Sequence, residues 1–137
     1  MDYTPFIQKA HRMIVHDVLD AVSCNGIDED SAYYITFQTN REDVIVPDFV
    51  RARYPHEMTI VLENQFQGLT VSDTGFSVEL SFGGVSACIS VPFNALTQFA
   101  DTKSEFGFVL TPIAQETTTT YAKIMSLDEL RAMKDNV

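Results

Sequence analysis

The order of apolar and polar positions divides the chain into a helical opening, a long β-type middle and a short apolar cluster near its end. Residues 5–22 follow the helical period. Pro5 suits a first turn, Thr4 is a candidate N-cap, and Gly26 supplies a stop. Phe6, Ala10, Met13, Ile14, Val18 and Ala21 fall on one side, with Asp17 among them, while Ile7, Val15, Leu19 and Val22 widen the apolar surface beyond a single stripe. A helix apolar over so much of its circumference needs cover on more than one side, and in a small domain the second cover points to another subunit.

From residue 32 the period becomes two. Tyr33, Ile35 and Phe37 alternate with polar neighbours, Val44–Val46 reads as a short strand ended by Pro47, and residues 48–57 read as an irregular loop. Met58, Ile60 and Leu62 share one face, and Leu69–Ser72 reads as a further strand. Phe76, Val78, Leu80 and Phe82 lead into Gly83-Gly84, a two-residue hairpin signal, after which Ala87, Ile89 and Val91 return on one face. Pro92–Ala100 reads as a short helical turn carrying Leu96 and Phe99, and Phe106, Phe108 and Leu110 alternate once more. The expected fold is mainly β: an N-terminal helix, then a sandwich or small barrel of about seven short strands. No strand–helix alternation suggests a parallel sheet.

Beyond Pro112 the pattern stops. Gln115–Thr120, with its run of threonines, reads as a linker. Ile124, Met125, Leu127, Leu130 and Met133 then form an apolar cluster, and Ser126 and Glu129 have capping-box spacing, so residues 127–134 suit a short helix that needs something to dock on. The expected organisation is a body over residues 1–112, a linker over 113–122 and a tail over 123–137.

Composition narrows the function classes. With 137 residues, 45% hydrophobic and 20% charged, the chain is one ordinary globular domain. The net charge is −10, which repels nucleic acid and anionic membrane, and both are excluded as expected partners. Lys123, Arg131 and Lys134 balance Asp128, Glu129 and Asp135, so the whole excess lies in residues 1–122. The tail is then either an ordinary mixed-charge end or a separate interaction element on a repelling body. No basic-then-apolar leader stands at the start, and no run approaches the roughly 20 apolar residues of a membrane span. A cytoplasmic location is expected, with Cys24 and Cys88 as free thiols.

No catalytic motif emerges. Cys88 alternates within a strand, and neither cysteine has an activating neighbour. His11 and His16 lie five apart, not the four a helical metal pair prefers. Asp28-Glu29-Asp30 reads as a solvated acidic loop, and Arg41, Arg51 and Arg53 as either a local positive patch or scattered loop charges. No metal, cofactor or enzymatic activity is expected.

Val44-Ile45-Val46-Pro47, Met58-Thr59-Ile60-Val61-Leu62, Phe82-Gly83-Gly84 and Ser90-Val91-Pro92 with Ala95 together resemble the SspB family, the adaptors that deliver ssrA-tagged proteins to the ClpXP protease. The similarity is closer to its alpha branch, through Tyr34-Ile35-Thr36-Phe37, Tyr54-Pro55 followed by Glu57-Met58-Thr59, and Val91-Pro92 followed by Ala95-Leu96-Thr97. It covers about residues 5–110, and Ser126-Leu127-Asp128 resembles the end of alpha-branch members. The resemblance implies a bacterial homodimer, a sandwich related to the Sm-like barrel, a groove for an extended tag, and a tail that docks on the ClpX N-terminal domain. Ala10, Ile14 and Val18 are the expected dimer contacts, and Leu127, Leu130, Arg131, Met133 and Lys134 the expected docking residues. For the groove the candidates are Val46, Ile60, Leu80, Phe82, Ala87, Ile89 and Val91. A sandwich also needs most of these for its core, and alternation does not separate the two roles. A second reading, a small-ligand-binding barrel or a hydrolase, would require polar groups converging on a pocket, and the sequence shows no such cluster.

Overall fold

The computed structural model describes residues 1–63 and 66–114, so the linker and tail expectations for 115–137 lie outside the described residues. Helix α1 spans Thr4–Asn25. Thr4 is its first residue rather than its cap; its N–H bonds Asp2 Oδ1 at 3.0 Å. The stop is as expected. Gly26 takes φ 81° and returns its N–H to the Val22 carbonyl at 2.8 Å, a conformation that a residue without Cβ adopts freely.

Seven antiparallel strands follow: β1 Tyr33–Gln38, β2 Glu57–Leu62, β3 Gln67–Val71, β4 Gly75–Phe82, β5 Val85–Pro92, β6 Leu96–Asp101 and β7 Phe106–Val109. They form a four-stranded sheet in the order β2-β1-β6-β7 and a three-stranded sheet in the order β3-β4-β5. Gly83 and Gly84, both at positive φ, turn β4 into β5 as the sequence predicts. The inward faces meet in one core that includes Ile35, Phe37, Ile60, Val78, Ile89 and Phe99.

Three local expectations are corrected. Val44–Val46 is no strand; it touches β5 through an isolated bridge, Ile45 to Ser90, with both N–H···O distances 2.9 Å. Residues 48–57 include a short helix, α2 (Asp48–Arg53), which follows Pro47 and buries Val50. The stretch expected as a helical turn is a 3-10 turn over Phe93–Ala95 followed by strand β6.

Helix α1 packs on β3 and the 3-10 turn, burying Val15, Leu19 and Val22. Each such side chain contributes roughly 1.5–3 kcal/mol over its exposed state. After β7 the chain remains fastened. Leu110 N–H bonds the Thr97 carbonyl, Thr111 N–H bonds Gln8 Oε1 and Ile113 N–H bonds the Asn94 carbonyl, each at 2.8 Å. Arg41 Nη1 then donates to the Ile113 carbonyl at 2.6 Å.

Candidate functional site

A groove of about 640 Å³ runs between β2 and the end of the β4–β5 hairpin. Tyr54, Thr59 and Ile60 line one side, Leu80, Phe82 and Gly83 the other. It continues past Val61, Leu80 and Ser81 into a second hollow of about 250 Å³ that reaches Glu63 and Phe66.

Among the described residues strand β2 is an edge strand, and the pairing fixes which of its backbone groups are free there. Thr39 N–H bonds the His56 carbonyl at 2.9 Å, making these two residues a hydrogen-bonded pair. The register steps on with Phe37 opposite Met58 and Ile35 opposite Ile60. Hydrogen-bonded and non-bonded pairs alternate in an antiparallel ladder. Met58, Ile60 and Leu62 therefore direct their backbone groups to β1, and Glu57, Thr59 and Val61 direct theirs away, along the groove. The side chains agree. Thr36 and Thr59 meet Oγ1 to Oγ1 at 2.8 Å, the close approach of a non-bonded pair.

The expected groove residues separate into two groups. Ile60, Leu80 and Phe82 come together along the groove, with Ile60 buried in its floor and the other two half-buried. Ala87, half-buried, stands opposite Leu80 in the hairpin. Val46, Ile89 and Val91 are buried in the core. Tyr54, Thr59 and Val61 were missed, because a search for apolar candidates passes over the polar half of an edge strand. Glu57 and Glu79 flank the groove; Glu57 accepts from Thr97 Oγ1 and Glu79 from Ser86 Oγ, each at 3.2 Å. Arg53 lies over the Tyr54 ring, its guanidinium carbon 6.0 Å from the centroid.

Arg41, Arg51 and Arg53 are each engaged within the chain. Arg41 is buried and paired to Asp43 through Nε and Nη2 at 2.9 and 2.8 Å. Arg51 donates to the carbonyls of Val44 and Arg41. Hydrogen bonding to Arg41 holds the Asp43 carboxyl below its ordinary pKa.

The second exposed feature is the outer face of α1. Tyr3, Phe6, Ile7 and Met13 are at least half exposed there. Of the expected dimer contacts, Ala10 is exposed, Ile14 is half-buried, and Val18 is half-buried against the core. Among the described residues no helix is long and apolar enough to cross a membrane, and no group of three or more His, Cys, Asp or Glu side chains is placed to hold a metal. Both cysteines are free and exposed. The expected docking residues Leu127, Leu130, Arg131, Met133 and Lys134 lie outside the described residues.

The family model for SspB, stringent starvation protein B, matches residues 5–135. No match is found among curated proteins.

Proposed function

The chain belongs to the SspB family, and from that membership we propose that it is a protease adaptor that holds ssrA-type degradation tags in the β2 groove and tethers tagged proteins to ClpXP. The observation that carries the reading is the free edge of β2 beside an elongated, half-apolar groove. An extended peptide that adds to an edge strand gains main-chain hydrogen bonds for affinity and side-chain pockets for specificity. Thr59 and Val61 offer the former, and Leu80 and Phe82 wall the latter.

Tethering completes the mechanism without catalysis. The tag sits on the body, Leu127, Leu130, Arg131, Met133 and Lys134 engage the ClpX N-terminal domain, and the intervening segment raises the local concentration of substrate at the unfoldase. A homodimer formed through the apolar face of α1, with Ala10, Ile14 and Val18 as contacts, would carry two tails and add avidity. The setting proposed is the bacterial cytoplasm, with no cofactor. The half-exposed Phe6 and Ile7 support the dimer, since apolar side chains of that size on a helix surface are ordinarily covered.

The test is a fluorescence-anisotropy titration with a labelled ssrA-tag peptide. Saturable binding is expected, and Phe82→Ala, whose side chain also packs against the core, should weaken it while the protein stays folded with a midpoint lowered by only several degrees. Absence of binding at high micromolar peptide would overturn the groove assignment. For the tail, the isolated 123–137 peptide should bind the ClpX N-terminal domain and lose affinity on Leu130→Ala; a peptide that does not bind would remove the tethering step.

A further inference from the structure

A second cavity lies across the helix from β7. It holds about 370 Å³ and is walled by Lys9, Arg12, His16 and Asp17 from one flank of α1, Asp17 being held by His16 Nδ1 at 2.8 Å, and by Asp73 and Phe93 from the opposite side. Its charges are unusual for this molecule. Arg41, Arg51, Arg53 and Lys103 are each engaged by a carboxylate, a carbonyl or a ring. Lys9 and Arg12 have no ion pair or hydrogen bond among the described residues, although the chain carries a net charge of −10. Asp73, on the far wall, is also unpaired among the described residues. Burial holds the Arg12 guanidinium below its ordinary pKa, which is the cost of a cation partly removed from water without a counter-charge.

The occupant is suggested by where the chain leaves the body. Asn94, which lines the cavity, accepts the Ile113 N–H at 2.8 Å through its carbonyl, so among the described residues the last one with a main-chain hydrogen bond sits at the cavity rim. Thirteen residues separate Ile113 from Leu127, and a coil of that length spans on the order of 20 Å. The segment it reaches is complementary in sign and polarity: Asp128 and Glu129 between Leu127 and Leu130, then Arg131 and Lys134. We propose that residues 127–134 of this chain dock in the α1 cavity, their two carboxylates on Lys9 and Arg12, a following cation toward Asp73, and their leucines against Met13 and Phe93. Tethering gives such a segment an effective concentration in the millimolar range, so a weak contact suffices to populate the docked form. Docking itself requires no second protein. Its consequence rests on the adaptor reading: the segment that docks at home is the one proposed to engage ClpX, so the two contacts compete.

The test uses the full chain. Amide NMR spectra of the unmodified protein are compared with those of Asp128→Lys/Glu129→Lys, whose changes lie outside the body. The Met13, Thr74 and Asn94 signals should move in that variant. They should move in Lys9→Glu/Arg12→Glu as well, and return toward their original positions when the two pairs are combined, because the combination swaps the charges. If half to nine-tenths of the tails are docked, releasing them through Lys9→Glu/Arg12→Glu should raise the apparent affinity for the ClpX N-terminal domain about two- to tenfold. Identical cavity signals in the unmodified and Asp128→Lys/Glu129→Lys proteins would overturn the proposal. So would a difference between the unmodified and Asp128→Lys/Glu129→Lys spectra that vanishes on dilution, which would make a second copy's tail the occupant. Should the Lys9→Glu/Arg12→Glu protein not fold, the tail variant decides alone. The spectra contain no ClpX, so their failure removes self-docking and leaves the adaptor reading to its own titration.

Discussion

Arg41 shows how one side chain ties a loop to the segment that follows β7. Its guanidinium is buried, forks onto Asp43, and spends a further N–H on the Ile113 carbonyl. Removing one partner of such a pair leaves a charge without compensation, which costs more than the pair itself contributes. Arg41→Met should lower stability by about 2–3 kcal/mol, read by urea denaturation at neutral pH. The pH dependence follows from Asp43. Its folded pKa lies below the ordinary 3.8, so its contribution is complete above the unfolded value and is lost as pH falls through the folded one. The stability gap between the native protein and Asp43→Asn should therefore be constant from pH 7 to about 5 and shrink below about pH 4; a gap that persists to pH 2 would assign the loss to something other than this charge. Gly75 is the complementary case, a residue fixed by the absence of a side chain. A Cβ there would stand 2.5 Å from the Val91 carbonyl oxygen and 2.8 Å from Pro92 Cα. Backbone on the neighbouring strand yields little, so Gly75→Ala should destabilise by about 2 kcal/mol or more, measured in the same denaturation series.

At the scale of elements, the free edge of β2 makes a prediction that separates groove from fold. The Thr59 N–H points away from β1, so Thr59→Pro removes no ladder bond and proline is tolerated at such an edge. It does remove one donor from the proposed tag site. Tag affinity should fall about fivefold, the worth of one net hydrogen bond, while urea denaturation shows a loss of no more than about 1 kcal/mol, from the Thr36–Thr59 hydroxyl contact that goes with the side chain. Equal tag binding by Thr59→Pro would place the peptide elsewhere. The same scale explains what the sequence could and could not reveal. The clean alternation of Phe76–Phe82 and Ala87–Val91 and the paired glycines between them were legible because a half-buried hairpin writes period two directly. Strand β6 was not, because of a bulge. Thr36 pairs with Gln98 and Phe37 with Leu96, leaving Thr97 as the extra residue. The bulge lets Leu96 and Phe99, three apart, both turn inward, and that spacing imitates a helix. The expected number of strands agreed with the structure only because this omission offset the overcounted Val44–Val46. Helix α2 was hidden for another reason: with Val50 alone buried, it has no periodic face to read.

For the whole molecule, the proposed division between body and tail decides how the proposed tether works. Composition placed the change at Pro112, where apolar periodicity ends. Periodicity reports side-chain burial and is blind to the main-chain bonds that hold an irregular segment. Those bonds run on to Ile113, through Asn94 and Arg41. Groove residues were obscured by a related limit: alternation marks a side chain as inward without saying whether the inside is core or cleft, so Leu80 and Ile89 read alike although only Leu80 borders the groove. The bonds at Ile113 predict an uneven pair of truncations. A chain ending at Ala114 keeps every one of them and should match the full protein in thermal midpoint and in tag affinity. A chain ending at Pro112 loses the Ile113 N–H bond to Asn94 and strips Arg41 of one acceptor, and should be less stable by about 2 kcal/mol, given about 1 kcal/mol for a neutral hydrogen bond and more for one to a charged group. Both should fail to accelerate ClpXP degradation of a tagged reporter, because neither carries residues 127–134. Two truncations of equal stability would show that the body ends before Ile113, and acceleration by the Ala114 chain would show that the tail is not the tether.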